Sequence, residues 1–266
     1  MQLFTYIFLG VLQGFTEPLP ISSSGHLYLF KQIFNTKIFD SLNFEIIANF
    51  GSFLAILFIF RKEVYDLCLS FLEFVFKKKT RKKNKDKFNY CMYIVISTIP
   101  VTICGLIFKD MINYSVFILA LMFLITALML FLVRNINGTK KDNDLTLKDA
   151  IIIGLFQAVA IFPGISRSGA TLVACLFCKL KKEAALKYTF LLYFPVSVGS
   201  MILGVNDLIQ SSESSLLMPY LLGSLAAMII TYYSYKWLSE IVKKGQLAYF
   251  SIYCILLSIF IFIYFR

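Results

Sequence analysis

Residues Gln13 to His26 read QGFTEPLPISSSGH, and residues Phe162 to Thr171 read FPGISRSGAT. Each breaks an otherwise apolar run with proline, glycine and serine. The offset that carries Ser22 to Gly25 onto Ser166 to Gly169 also carries Gly10 onto Gly154, Gln13 onto Gln157 and Ile21 onto Ile165. One hairpin therefore occurs twice, and its copies differ in chemistry. The first holds a carboxylate and the single histidine of the chain, Glu17 and His26, whereas the second has neither and carries a guanidinium, Arg167.

The composition around these stretches excludes a soluble domain. Of 266 residues 59% are hydrophobic and only 15% charged, with 28 Phe and 15 Tyr, the profile of a polytopic membrane protein. The net charge of +11 is then read against a membrane, whose cytoplasmic side collects Lys and Arg, and not as a nucleic-acid surface. The apolar N-terminus lacks a basic leader region and runs straight into the broken stretch, so a retained N-terminus is expected. Cys175 and Cys178 form a C-x-x-C without a second pair or a neighbouring histidine, which makes small packing residues of them sooner than zinc or redox ligands.

Residues 1–35 are too interrupted for one membrane span and predict a re-entrant helical hairpin, two half-helices whose loop sits at membrane depth where protein or water satisfies its backbone. A first full span is expected at 44–60, stopped by Arg61 and Lys62. A partly amphipathic segment, 64–76, leads into the run KKKTRKKNKDK at 77–87, read as a cytoplasmic loop. Spans follow at 90–108 and 113–133, then the polar seam 134–149, a second hairpin at 150–178, and spans at 185–203, 217–238 and 247–264. The expected fold is an all-α polytopic membrane protein, one membrane domain over 1–266. Repeat one covers 1–134, a cytoplasmic linker 135–148 and repeat two 149–266.

A hairpin returns to its own side and three spans do not, so the halves must be inverted. With 77–87 inside, the basic residues near 134–149, 179–187 and 236–244 are inside as well. Only Lys31, Lys37, Lys109 and Arg266 fall outside, Arg167 stays at membrane depth, and the external loop 204–216 has no Lys or Arg. Hairpins entering from opposite faces can meet near the midplane, which would bring Glu17, His26 and Arg167 into one site.

Ionisable groups at that depth are costly and mark sites or pathways. A guanidinium binds phosphate through two donors at once. The hydroxyls and N–H groups of Ser166, Arg167, Ser168 and Gly169, at the N-terminus of a half-helix, would add to this; Ser22 and Ser24 supply further donors from the first copy. Pairing of Arg167 with Glu17 is the structural alternative. Gln13 and Glu17 are four apart, on one helical face, and their oxygens suit Mg2+ or Ca2+; Glu17 could equally accept a proton or neutralise Arg167. From a helix starting near Ser23, His26 can reach the hydroxyl of Ser23 or of Ser22 as a base. Lipid phosphatases of the acid-phosphatase type are excluded, because they need a second histidine as nucleophile.

In these residues the chain resembles the bacterial undecaprenyl-diphosphatase family of the bacitracin-resistance type. One signature of that family, Glu/Gln-x-x-x-Glu leading into Ser-Ser-x-Gly-His, is matched by Gln13, Glu17 and Ser22 to His26. The other, Pro-Gly-x-Ser-Arg-Ser-Gly-Ala-Thr, is matched from Pro163 to Thr171. The resemblance implies removal of one phosphate from undecaprenyl diphosphate at the outer side of the cytoplasmic membrane, with Ca2+ or Mg2+ required. It implies essential roles for Glu17, His26, Ser166, Arg167 and Thr171, with Ser23 as nucleophile. Pro18 stands where the family pattern has Phe and bends the hairpin tip. Two readings of the attack remain open, Ser23 activated by His26 or water activated by His26. A polyprenyl-phosphate transporter or flippase is the alternative function, since paired broken helices are also a transporter pattern. A homo-oligomer is compatible with the sequence.

Overall fold

The computed structural model describes residues 2–34, 43–108, 115–210 and 216–266. They form ten α-helices and no named strand. The helices are α1 (Gln2–Thr16), α2 (Ser23–Phe34), α3 (Asn43–Phe76), α4 (Arg81–Phe108), α5 (Val116–Val133), α6 (Leu147–Val159), α7 (Arg167–Phe177), α8 (Lys182–Gln210), α9 (Leu217–Lys244) and α10 (Ala248–Tyr264). Five of them, α3, α4, α5, α8 and α9, contain stretches long and apolar enough to cross a membrane. At 17 residues α10 sits at the lower end of the spanning range of about 17–25, and it lies along α5. The chain is an all-α polytopic membrane protein.

The two interrupted stretches each form a pair of short helices, α1 with α2 and α6 with α7. Neither short pair packs chiefly on its sequence neighbours. α1 lies along α9, and α6 lies along α4. The repeated glycines explain the contact distance. A Cβ on Gly10 would collide with the Gly223 carbonyl of α9, and one on Gly154 would stand 2.8 Å from the Ser97 carbonyl oxygen of α4. In lipid, where apolar burial drives little association, such close backbone approach and interhelical hydroxyl bonds hold helices together. Thr231 of α9 donates to the Gly14 carbonyl of α1 at 3.2 Å. Ser97 of α4 donates to the Ala150 carbonyl of α6 at 2.7 Å. Ser251 and Ser258 of α10 bond the Ala127 and Ala120 carbonyls of α5 at 2.7 and 2.8 Å.

Two boundaries differ from expectation. The helix of the first span does not end at Arg61 and Lys62, because α3 continues to Phe76. Both are good helix formers, and Arg61 folds back onto its own helix, donating to the Phe58 carbonyl at 2.7 Å with its guanidinium 4.3 Å from the Phe58 ring centre. The basic run 77–87 is a short turn followed by the start of α4, not a loop. Its donors satisfy the final carbonyls of α3: Thr80 bonds Glu73 at 3.1 Å, and Arg81 bonds Phe74 at 3.0 Å and Val75 at 3.3 Å. At 34 residues and 1.5 Å per residue, α3 is about 51 Å long, well over the ~30 Å of hydrocarbon. It therefore projects beyond the bilayer with the start of α4 as a helical hairpin.

α8 likewise runs through Gln210, past the end expected at residue 203, since no proline interrupts 204–210. Residues 211–215 of the expected external loop, the first residues of the span at 113–133, and Lys37 and Lys109 lie outside the described residues. The seam 134–149 docks on the segment after α7. Thr139 and Lys140 both donate to the Lys179 carbonyl at 2.9 Å, Lys181 donates to Lys140 at 2.8 Å, and the Lys187 ammonium meets Asp142 at 2.7 Å.

The close approach of α1 to α9 yields a stability test. Gly10→Ala should lower the melting temperature of the detergent-solubilised protein, because the added carbon has no room and overpacking costs about 1–3 kcal/mol. Gly199→Ala in α8, where a Cβ meets nothing within 4 Å, should leave it unchanged or raise it slightly. The two melting curves, measured side by side, check this.

Candidate active site

The breaks between the short helices face each other and interlock through their backbones. After α1 the chain turns over Glu17 to Ile21 and enters α2 through Ser22, which holds the left-handed conformation at φ 68°. After α6 it turns through Gly164 at φ 95° and enters α7 with Ser166 as N-cap, its hydroxyl accepting from the Gly169 N–H at 3.0 Å. The Gly164 N–H donates to the Ser22 hydroxyl at 3.0 Å, and Ser168 donates to the Leu19 carbonyl at 3.1 Å. Thr126, a lone hydroxyl in the apolar α5, donates to the Gly164 carbonyl at 2.8 Å and accepts from the Ser166 N–H at 3.3 Å. Two hydrogen bonds thus tie the turns to each other, and the two of Thr126 tie the second turn to α5.

A cavity of about 460 Å³ opens beside them. Of the residues expected in the site, Gln13, Glu17, Ser22, Ser23, Ser24, Ser166, Arg167, Ser168 and Thr171 line it, while Gly169 and His26 do not. Glu17 is the hub. Its Oε1 accepts from the Arg167 guanidinium at 2.7 Å. Its Oε2 accepts from the Gln13 amide at 3.0 Å and, in a very short contact, from the Ser23 hydroxyl. Glu17 and Arg167 come from different short-helix pairs, and both are largely withdrawn from solvent.

Not every expected donor is free. The Ser22 hydroxyl accepts two N–H groups, from Gly164 at 3.0 Å and Gly25 at 3.3 Å, so it is a structural strut. Thr171 donates back to the Arg167 carbonyl at 2.9 Å. Ser166 and Ser168 share a hydrogen bond of 3.1 Å. Ser23 and Ser24 are only partly buried and face the cavity.

His26 is placed otherwise than expected, reaching neither the Ser23 nor the Ser22 hydroxyl. Its Nδ1 lies 2.7 Å from the Ser22 carbonyl oxygen and its Nε2 2.7 Å from the Tyr253 hydroxyl of α10. A carbonyl only accepts, so Nδ1 carries the proton and Nε2 accepts from Tyr253. The ring stacks on Tyr253 at 8° and meets Phe123 edge-on at 85°. Those two rings, from α10 and α5, draw the imidazole away from the cavity while Ser23 at the helix start turns toward Glu17. The histidine thereby holds the carbonyl of Ser22, which with Lys179 is one of two non-glycine residues among those described in the unfavourable left-handed region, a conformation costing about 1–3 kcal/mol.

Tyr193, Asn49 and Glu45 are polar cavity residues that carry no repeat or motif signal. Tyr193 of α8 lies under Arg167, whose guanidinium carbon is 4.9 Å from the ring centre, and donates to the Asn49 side chain of α3 at 2.8 Å. Glu45, in the first turn of α3, lines the same cavity. The signal available for Asn49 and Glu45 was a polar side chain inside a span; Tyr193 gave none among 15 tyrosines.

Gln13 bears on a cation. It is 2% exposed, and its Oε1 accepts no hydrogen bond from any described residue. An orphaned, buried amide oxygen next to a carboxylate, in a cavity that also holds a second carboxylate, is a donor set that a hard divalent cation would satisfy.

Fold and site together define a polytopic membrane protein with a carboxylate, a serine and a guanidinium gathered where two broken helices meet. Residues 6–260 match the family described as Bacitracin resistance protein BacA, and the chain belongs to that family. Its relatives include undecaprenyl-diphosphatase 1 of Bacillus licheniformis, 43% identical with 99% of this chain and 98% of the relative covered. Undecaprenyl-diphosphatase 2 of Bacillus thuringiensis is 44% identical over 96% and 94%, and the undecaprenyl-diphosphatase of Oceanobacillus iheyensis 42% over 97% and 95%.

With one histidine in the chain, nitrogen-15 histidine labelling yields a single imidazole. Its spectrum should show the neutral form protonated at Nδ1, and Tyr253→Phe should shift the Nε2 resonance as the donated hydrogen bond is lost. An Nε2-protonated ring, or a spectrum indifferent to Tyr253→Phe, would contradict the placement.

Proposed function

We propose that the chain is an integral membrane phosphatase that hydrolyses undecaprenyl diphosphate to undecaprenyl phosphate and inorganic phosphate, returning the lipid carrier to cell-wall synthesis and conferring bacitracin resistance. Family membership and the names of full-length relatives support the activity. The observation that carries the mechanism is the division of the Glu17 carboxylate between the Ser23 hydroxyl and the Arg167 guanidinium.

On this reading Ser23 Oγ attacks the terminal phosphorus and gives its proton to Glu17 Oε2. The bond from that phosphorus to the bridging oxygen breaks, and undecaprenyl phosphate leaves. Water then hydrolyses the seryl phosphate to release inorganic phosphate. Glu17 replaces His26 as proton acceptor because it, and not the imidazole, holds the Ser23 hydroxyl. Arg167 offers a planar two-donor fork to the phosphate oxygens, and Tyr193 braces the guanidinium from below. Ser166, Ser168 and Gly169 provide the N-terminal end of α7, where N–H groups and the helix dipole favour an anion; Ser24 faces the same space from α2. His26 acts by fixing the turn that presents Ser23. A bound Mg2+ or Ca2+ would be held by Gln13 and Glu17 and would supply positive charge against the transferring phosphoryl group.

The membrane arrangement is proposed with it. The two halves, 1–134 and 149–266 joined by 135–148, are inverted repeats in the cytoplasmic membrane, each a re-entrant hairpin plus three spans, with the site open to the external side. Reciprocal packing supports this: α1 on α9 answers α6 on α4, and α3 on α9 answers α8 on α4. The basic turn 77–80, the seam 134–149 and the segment 179–187 then share the cytoplasmic side, where positive charge belongs.

Two measurements test these readings. Ser23→Ala should abolish phosphate release from undecaprenyl diphosphate by purified protein, and Glu17→Gln should cut it at least 100-fold. Retention of roughly a tenth of turnover in Ser23→Ala, about 1.4 kcal/mol of barrier, would point instead to direct attack by water. For topology, Lys82→Cys and Gln210→Cys in a cysteine-free background should react with an impermeant thiol reagent from opposite faces of the membrane; labelling of both from one face overturns the inverted arrangement.

A further inference from the structure

The cavity has an imbalance of charge that the proposed reaction makes worse. Among the described residues Arg167 is the one basic residue lining it, and Arg167 is already paired with Glu17 at 2.7 Å. Glu45 lines it too and has neither an ion pair nor a hydrogen bond with any described residue. Glu45 is exposed to this cavity and adds a second carboxylate to that of Glu17, and a diphosphate brought into the same cavity adds further negative charge. Arg167 cannot neutralise Glu17, Glu45 and substrate together.

A second observation, independent of the charges, points to what is missing. Gln13 is almost wholly buried in the wall of this cavity, and its Oε1 has no donor. Three residues bring oxygens to the lining of the space: the Gln13 amide from α1, the Glu17 carboxylate just after α1, and the Glu45 carboxylate from the first turn of α3. The set contains no sulfur or imidazole, since His26 does not line the cavity and is engaged elsewhere. All-oxygen donors with net negative charge select hard divalent cations, Mg2+ or Ca2+, over softer transition metals.

We infer that Glu45 is a ligand of the divalent cation, so that the ion is held between α1 and α3 and not by the Gln13–Glu17 face alone. This rests on the cation reading of the proposed function and extends it to a residue outside both repeated motifs. It also gives a reason for a carboxylate at the head of a helix whose following three turns are nearly all apolar.

The test measures binding, with activity scored separately. Detergent-solubilised protein stripped with chelator is titrated with CaCl2, without lipid substrate, by calorimetry, and melting curves are recorded with and without Ca2+. Wild type should bind one Ca2+ and melt higher in its presence. Glu45→Gln should weaken binding at least tenfold and lose most of the Ca2+-induced rise, while its metal-free melting temperature equals or exceeds that of wild type because a carboxylate near Glu17 is gone. Should Glu45→Gln fail to fold, Glu45→Asp serves: a shortened ligand should bind measurably more weakly. Wild-type affinity in either folded variant overturns the assignment of Glu45 and leaves the phosphatase reading intact. Absence of Ca2+ binding by wild type overturns it as well, and phosphate release by the same preparation shows whether the reaction reading falls with it.

Discussion

The ion pair between Glu17 and Arg167 is the contact on which the site depends, because it joins a residue of the first broken helix to one 150 positions later. Each partner alone would be an uncompensated charge within an apolar bundle, and removing one side of such a pair costs about 3–5 kcal/mol. The pair is not left to align the two turns unaided. Ser22 on Gly164, Ser168 on Leu19 and Thr126 on both Gly164 and Ser166 fix the backbones. With the backbone already positioned, the carboxylate and guanidinium meet without ordering costs of their own, and both retain groups that face the cavity.

That alignment depends in turn on how the short helices are held. α1 and α6 each lie chiefly along a long helix that is not their neighbour in sequence, α1 along α9 and α6 along α4. The glycine recurring as Gly10 and Gly154 has the same job in both places, removing the side chain where a neighbouring carbonyl comes closest. The recurring glutamine has diverged. Gln157 bonds the Ser97 carbonyl at 3.4 Å and is part of the helix contact, whereas Gln13 turns its amide to Glu17 and leaves its oxygen open. The two interrupted stretches thus carry different chemistry: the acid and serine on the first, the guanidinium on the second.

Much of this was legible because broken helices leave a strong mark in an apolar sequence. Proline, glycine and serine at 17–25 and 162–169 mean interruption, and the constant offset between them pairs the two turns. Helix ends were less legible. Arg61 and Lys62 suggest a stop because charge marks a bilayer boundary, yet a helix can leave the bilayer without ending, and Thr80 and Arg81 in the basic run cap the end of α3. Side-chain direction was the least legible. The spacing from Ser23 to His26 permitted contact, but the aromatic partners that decide the orientation, Phe123 and Tyr253, lie about 100 and 230 residues away. Tyr193 could not be picked out for the same reason: its importance lies in what passes over its ring.

The position of His26 alters how the motif works as a unit. Serine, glycine and histidine in close succession suggest a nucleophile beside its base, yet here the imidazole bonds a backbone carbonyl and a phenol, and the carboxylate holds the serine. The left-handed turn at Ser22 links the two arrangements. It reverses the chain sharply enough to bring the Ser23 hydroxyl back over Glu17, and it is an unfavourable conformation for any residue with a Cβ. The Ser22 hydroxyl accepts two N–H groups and the Ser22 carbonyl accepts both the His26 N–H and the His26 Nδ1 proton, so four hydrogen bonds offset the strain of one residue. On the proposed reaction, loss of the imidazole would therefore release the turn and carry Ser23 away from its acceptor, so that the histidine would act without touching the phosphate.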